Sequence, residues 1–324
     1  MILMTSSVVK GESQSIITKK VVVTLPSKKH VFDMSNSVFG QSRPRITIWI
    51  HGTKSMGAFS EFTHGSPEGL MAVSQLPFVY RMGRITKVLS QADPKSFPLE
   101  HFYVFGWSGT LAFDERKAQA EKLYALLKKM NLDYETLYGV KPEITLITHS
   151  HGGNVALNLA AVKDEDCDLT VAAILLACPV QHETKKLVND PFFSKVYSFY
   201  STSDFVQILD PQGLYKTEMN CDRHVEFSAR QFPASTNLRQ ARLKINGYGI
   251  MHVGFTFSRF VSLLPDIIHH TDEWMEKEPN EEGHERVLDI VLPEKKSWFF
   301  ALPVNVDAVS GAYSKLKNGL RADV

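Results

Sequence analysis

The stretch ITLITHSHGGNVALNLA, residues 144–160, passes from one kind of secondary structure to another without a connecting loop. Residues 144–148 are apolar or β-branched, as in a β-strand. After the two glycines, apolar side chains recur at helical spacing. Ser150 therefore stands on a corner between a predicted strand and a predicted helix, with a histidine on each side. Such a corner turns its side chain outward at the carboxyl end of a sheet, beside the N–H groups of a helix N-terminus.

Strands and helices also alternate before this corner. Residues 16–26 (IITKKVVVTLP) are rich in β-branched side chains, and residues 45–53 (RITIWIHGT) predict a buried strand that ends in a glycine turn. Residues 101–107 (HFYVFGW) predict a further strand. Residues 111–130 carry apolar side chains on one face of an amphipathic helix.

The same alternation continues after the corner. Residues 169–179 (LTVAAILLACP) are apolar almost throughout, which is typical of a parallel strand covered on both faces. Residues 195–204 predict another strand and residues 241–245 a weaker one. Residues 256–274 predict a helix with a kink or break at Pro265. Together these elements predict an α/β fold, with a mainly parallel central sheet flanked by helices.

The corner THSHGG resembles the nucleophile elbow of the α/β-hydrolase superfamily, G-x-S-x-G, with Thr148 in place of the first glycine, and it is most similar to the lipase and esterase branches. Members of this superfamily place an acid and then a histidine after the serine. The resemblance implies Ser150 as nucleophile, Asp204 in VYSFYSTSDFVQ as acid, and His252 in the glycine-rich segment GYGIMHVGF as base.

The segment WIHGT resembles the turn that supplies one amide of the oxyanion hole in the same superfamily. The resemblance implies the backbone of Thr53 as this donor and the backbone of His151 as the second. It also implies an α/β-hydrolase fold with lid-like insertions over residues 45–275. Residues 1–44 are then a β-rich extension packed on the core, and residues 276–324 an acidic linker and tail.

Other residues compete for the acid and the base. Asp210 precedes a proline and is more typical of a turn, whereas Glu226 could serve only with a different strand assignment. His224, His269 and His270 are alternatives for the base. The last two lie at the end of a predicted helix, where a surface role that compensates the helix dipole is favoured.

His149 and His151 form an H-x-H pair, but no third ligand lies at a suitable spacing. We expect one of them to pack beside the corner and the other to line its mouth, and we predict neither metal nor cofactor. The three cysteines, Cys167, Cys178 and Cys221, show no CxxC spacing and are expected to be reduced thiols.

Candidates for a substrate pocket lie near the predicted oxyanion turn. Phe59 and Phe62 belong to a long loop with many apolar residues, and Trp107 ends a strand. Trp107 fits a wall of the acyl pocket and a core position equally well.

Bulk composition narrows the partners. The 324 residues carry a formal net charge of +1, which gives no reason to expect nucleic-acid binding. We find neither a signal peptide nor an apolar run of about 20 residues, so the expectation is a soluble, cytoplasmic protein, with leaderless export left open. The tail PEKKSWFFALPVNV combines basic and aromatic residues. We expect this tail to fold back on the domain, and weak peripheral membrane contact is the alternative.

These observations predict a serine hydrolase that cleaves small-molecule or lipid carboxylic esters through an acyl-enzyme. A thioesterase, an amidase or a protein deacylase could use the same triad. A non-catalytic binding protein on this fold is the alternative of a different class.

Overall fold

The computed structural model describes residues 6–11, 14–23, 43–53, 66–77, 80–204, 206, 231–278 and 284–292. Its strands are β1 (Ser6–Gly11), β2 (Gln14–Val22), β3 (Arg45–Ile50), β4 (Gly69–Ala72), β5 (Phe102–Gly106), β6 (Glu143–His149), β7 (Thr170–Leu176), β8 (Phe193–Tyr200), β9 (Leu238–Ile245), β10 (Tyr248–Gly249) and β11 (His284–Val291). Its α-helices are α1 (Arg81–Ala92), α2 (Phe113–Tyr138), α3 (Gly152–Val162), α4 (Ser258–Val261) and α5 (Leu264–Lys277).

Over the described residues, eleven strands form one sheet in the order β1-β2-β11-β9-β8-β7-β6-β3-β5-β4, with β10 paired to β9. The pairs from β2 through β11 to β5 are parallel. The pairs β1–β2, β4–β5 and β9–β10 are antiparallel. The predicted α/β fold with a mainly parallel central sheet is therefore confirmed.

The helices cover both faces of the sheet. Helices α2 and α3 pack on one face, in a core that includes Leu123 and Leu157, while α1 and α5 pack on the other with Leu89 and Ile267. Neighbouring residues of the central strands alternate between these two cores, because successive side chains of a strand point to opposite faces. This explains why the central strands are apolar throughout.

The register of the central strands brings their carboxyl ends together. Ile50 at the end of β3 pairs with Thr148 of β6, and His149 pairs with Leu176 at the end of β7. The HG turn that follows β3 and the serine corner that follows β6 therefore lie side by side. β8 ends at Tyr200, next along the same edge of the sheet.

The helix predicted over residues 256–274, with a kink or break at Pro265, is divided just before that proline. Helix α4 ends at Val261, and α5 begins at Leu264 with Pro265 in its first turn. A proline is favourable there because the first helical N–H groups have no partner within the helix. Residues 284–291, which the sequence grouped with the linker and tail, form β11 between β9 and β2. No helix within the described ranges is long and apolar enough to cross a bilayer.

Candidate active site

Ser150 stands on the predicted corner, because β6 ends at His149 and α3 begins at Gly152. Its φ is 54°, in the left-handed region that residues other than glycine seldom adopt. The Ser150 N–H donates to the Leu176 carbonyl at 2.9 Å, and the Gly153 N–H donates to the Ser150 carbonyl at 2.9 Å. A strained residue held in this way at a strand end is typical of a functional site.

Two glycines allow the backbone segments to approach each other at this corner. A Cβ atom on Gly152 would lie 2.5 Å from the His51 carbonyl oxygen and 2.7 Å from that of Ile50. A Cβ atom on Gly52 would lie 2.8 Å from the Cβ of Ser150. Helix α3 therefore begins against the end of β3, and the turn after β3 lies against the serine.

Thr148 occupies the position where the superfamily pattern has a glycine. Its side chain is fully buried, and its Oγ1 donates to the Ile174 carbonyl on β7 at 3.2 Å. A Cβ atom on Gly153 would lie 3.3 Å from this Oγ1 and 2.4 Å from the Cys178 Sγ. The threonine fits because its hydroxyl is hydrogen-bonded and because Gly153 leaves room beside it.

Trp107 holds the turn after β3, His51 and Gly52, through two hydrogen bonds. The Trp107 backbone N–H donates to His51 Nε2 at 3.1 Å, and the indole N–H donates to the His51 carbonyl at 2.7 Å. Because Nε2 accepts, the proton of the neutral His51 ring lies on Nδ1, which donates to the Gly52 carbonyl at 2.6 Å. The Trp107 side chain is fully buried, and its ring stacks on that of His51.

The two backbone groups expected to form an oxyanion hole lie on either side of Ser150. Thr53 follows Gly52, the residue that lies against the serine. His151 precedes the first residue of α3, so its N–H belongs to the positively polarised end of that helix. Both amides are thus on segments that meet at the corner.

Asp204 and His252 meet although 48 positions separate them in the chain. His252 Nδ1 donates to Asp204 Oδ2 at 2.7 Å, and the carboxylate is fully buried. With its Nδ1 proton committed to Asp204, the neutral imidazole keeps an Nε2 lone pair that can accept a proton. This is the arrangement that an acid and a general base require.

The turn that carries Asp204 is bonded to the loop that carries His252, a link that could not be predicted from the sequence. Ser201 Oγ accepts the backbone N–H of Ile250 at 2.8 Å and that of Ser203 at 3.2 Å. A Cβ atom on Gly249 would lie 2.1 Å from Ser203 Oγ. The hydroxyl-rich run before Asp204 was the available signal, but its partner is almost 50 residues away and has no sequence marker.

His149, the residue before Ser150, is hydrogen-bonded to the loop that carries His252. Its Nε2 donates to the His252 carbonyl at 3.0 Å, and the two imidazole rings are 4.6 Å apart, centre to centre. Burial, followed by the neighbouring His252, lowers the pKa of His149 well below its ordinary value. Within the described part of the chain, no hydrogen bond joins the Ser150 hydroxyl to the His252 ring. The structure thus joins Asp204 to His252 directly and places His252 beside the residue that precedes Ser150.

Several alternatives to these residues can now be located. His269 and His270 lie on α5, and both contact Glu273 of the same helix, at 3.4 and 3.6 Å. They are therefore not the histidines paired with Asp204. Other candidates from the sequence lie outside the described residues: Phe59, Phe62, Asp210, His224 and Glu226.

The described ranges contain no group of three or more His, Cys, Asp or Glu residues that could hold a metal ion. The Nε2 atom of His149 is already committed to a carbonyl group.

Comparison with known proteins found similarity at the level of structure. No family model matches the chain, and no curated protein matches it. Lipase B of Aspergillus fumigatus is similar with 11% identity and a TM-score of 0.35, over 71% of this chain and 53% of the lipase, about half its length. A thermostable esterase of Pseudomonas putida is similar with 10% identity and a TM-score of 0.33, over 90% of this chain and 72% of the esterase. A lipase-esterase related protein of Clostridium acetobutylicum is similar with 10% identity and a TM-score of 0.28, over 86% and 96%.

Proposed function

We propose that this protein is a serine hydrolase that cleaves carboxylic esters, with Ser150 as nucleophile, His252 as general base and Asp204 as the acid that orients the base. The observation that carries the proposal is the 2.7 Å hydrogen bond from His252 Nδ1 to Asp204. It lies at the edge of the sheet where Ser150 occupies its strained corner. Acid, base and hydroxyl of a triad need to meet at one such edge.

The reaction begins with the Ser150 hydroxyl, which is a poor nucleophile until a base removes its proton. His252 Nε2 takes that proton as Oγ attacks the ester carbonyl carbon. The buried Asp204 stabilises the imidazolium that forms and holds its tautomer. The tetrahedral intermediate then expels the alcohol, which receives the proton from His252, and the acyl group stays on Ser150. Water deprotonated by His252 releases the acid in the reverse sequence.

The negative charge on the carbonyl oxygen requires donors beside Ser150. The N–H groups of Thr53 and His151 serve this role in the proposal, because the turn after β3 and the N-terminus of α3 both lie against the serine. Each such donor typically lowers the barrier by about 3 kcal/mol. The bonds from Trp107 to His51 hold the first of these segments in place before substrate binds.

The substrate in this proposal is a small-molecule or lipid ester. The apolar loop that contains Phe59 and Phe62 remains the proposed wall of the acyl pocket. An apolar wall selects by acyl length, since each buried CH₂ contributes about 0.8 kcal/mol.

The proposal is tested by the turnover of p-nitrophenyl esters from acetate to dodecanoate by the full-length chain. We expect Ser150→Ala to abolish turnover. Ser108→Ala is a matched control, because Ser108 also precedes a glycine but its hydroxyl donates to Glu115 at 2.7 Å; this variant should keep wild-type turnover. Equal rates for Ser150→Ala and the wild type would exclude the proposed nucleophile. Thioester and anilide analogues of the best acyl chain identify the bond that is cleaved.

A further inference from the structure

We infer that His149 is a positioning residue for the general base, which it fixes through a hydrogen bond to the backbone of His252. The inference rests on the proposed function and concerns the same site. It assigns to His149 a role in the rate of proton transfer, exerted through His252.

His149 lies against two segments beside the serine corner: the loop that carries His252 and the turn after β3. Its Nε2–H donates to the His252 carbonyl at 3.0 Å, and the rings are 4.6 Å apart with a tilt of 50°. On its other side, a Cβ atom on Gly52 would lie 3.3 Å from His149 Nδ1. The imidazole thus lies between the oxyanion turn and the base, on the residue that precedes Ser150.

His149 forms a hydrogen bond in the middle of the loop that carries His252, residues 250–256. The loop is bonded before the base by Ser201, which accepts the Ile250 N–H at 2.8 Å. It is bonded after the base by Arg81, which donates to the Thr256 carbonyl at 3.2 Å. Of these three hydrogen bonds, only the one from His149 is made to residue 252 itself. A shift of about 1 Å in a catalytic group can lower a rate about 100-fold, so this bond is well placed to control the position of the imidazole.

The protonation state of His149 suits this role. A carbonyl oxygen only accepts hydrogen bonds, so the proton of the neutral ring lies on Nε2. Burial and the adjacent His252 both disfavour a positive charge on His149. His252 can therefore take the serine proton without facing a second imidazolium 4.6 Å away.

The test compares two replacements of His149 that differ in hydrogen bonding. Glutamine can place an N–H donor near the position of Nε2, whereas leucine cannot donate. We expect His149→Leu to lower kcat for the preferred ester about 10- to 100-fold, with KM within about twofold, because the carbonyl loses its partner and the loop shifts. His149→Gln should retain kcat within about threefold of the wild type, which is the rescue that a donor role requires.

A further readout separates positioning from mere stability. The low-field proton resonance of the His252 Nδ1–H, which reports the hydrogen bond to Asp204, should weaken in His149→Leu and persist in His149→Gln. A role limited to stability would lower the melting temperature and leave this resonance unchanged.

The outcomes are distinguishable from failure of the proposed function. An inactive wild type would refute the proposed function. An active wild type with His149→Leu equal to it in kcat and in the His252 Nδ1–H resonance would overturn the positioning role alone, as would a glutamine variant as impaired as the leucine variant. If the leucine variant does not fold, asparagine, whose amide is too short to reach the carbonyl, replaces it in the comparison. His182→Leu, at an exposed histidine, is the control and should behave as the wild type.

Discussion

The side chain of Ser201 accepts a hydrogen bond from the backbone N–H of Ile250 at 2.8 Å. Ser201 follows strand β8 and precedes Asp204 by three residues, whereas Ile250 precedes His252 by two. The same oxygen accepts the Ser203 N–H at 3.2 Å. One buried hydroxyl therefore links the turn of Asp204 to the loop of His252.

Replacing this hydroxyl should impair activity without touching the acid or the base. Ser201→Ala leaves two buried N–H groups without their acceptor, which destabilises the protein by about 1–3 kcal/mol. We expect kcat to fall about 10- to 100-fold because the imidazole is no longer held in register with the carboxylate. Steady-state kinetics and thermal unfolding of the purified variant measure both effects.

A matched control for this variant lies at the other end of the same strand. Ser194 Oγ donates to the Val171 carbonyl at 3.0 Å, remote from the carboxyl edge of the sheet. Ser194→Ala should keep wild-type kcat. If Ser201→Ala matches Ser194→Ala in kcat, the link between acid and base has no role in catalysis.

Asp204→Asn tests the acid with almost unchanged shape. An amide has no negative charge to stabilise the imidazolium and favours the wrong tautomer of His252, so kcat should fall about 10⁴-fold. The buried position of Asp204 means that solvent cannot substitute for the lost charge. Ester turnover at saturating substrate measures the loss. Asp166→Asn, at an exposed carboxylate, should retain full activity, and an Asp204→Asn variant that does the same would exclude the acid.

Gly152→Ala tests the close approach of α3 to the end of β3. The added Cβ would lie 2.5 Å from the His51 carbonyl oxygen, so the serine corner and the turn after β3 must separate. We expect a loss of stability of about 1–3 kcal/mol together with a large loss of activity. Urea unfolding and ester turnover report the two quantities.

The control for Gly152→Ala is the same substitution at Gly83, a glycine inside helix α1. A Cβ on Gly83 would meet the flexible end of the Leu76 side chain at 3.2 Å. Alanine is a better helix former by about 1 kcal/mol, so Gly83→Ala should be at least as stable as the wild type. Equal stability of Gly152→Ala and the wild type would contradict the packing described at the corner.

His149 should make the stability of the protein depend on pH. Its pKa in the folded chain is lowered well below the value of about 6.5 that applies to the unfolded chain. Below that pH the unfolded chain therefore binds a proton that the folded chain does not, and stability falls as the pH falls. The slope for one such group is at most about 1.4 kcal/mol per pH unit.

The variant His149→Gln isolates this contribution, because the pKa of His270 is lowered in the same direction and affects both proteins alike. Urea unfolding at pH 7.5 and 5.5 should show a smaller loss of stability for the variant than for the wild type. Identical losses would show that His149 takes up protons equally in both states.

The serine corner and the central strands could be predicted because their signals are local. Residues 144–160 contain a strand, a turn residue and a helix in immediate succession, and each apolar strand is buried on both faces. The family resemblance also singled out Asp204, at the end of a predicted strand, and His252, in a glycine-rich loop, and the structure joins them by a hydrogen bond.

Features that depend on contacts between distant parts of the chain could not be predicted from the sequence. β11 follows an acidic segment, and its place in the sheet depends on pairing with β9 and β2, which are distant in the chain. The bond from His149 to the His252 carbonyl depends on a loop conformation rather than on residue type. Its expected packing role therefore omitted the contact that now gives it a proposed function.

The most direct test is the site of reaction with a fluorophosphonate, which forms a stable adduct with a serine activated by a base. After treatment of the full-length chain, mass spectrometry of its peptides should locate one adduct on Ser150. Labelling should disappear in His252→Ala at equal protein stability. An unmodified Ser150 in a folded, reagent-treated protein, or an adduct confined to another serine, would contradict the account.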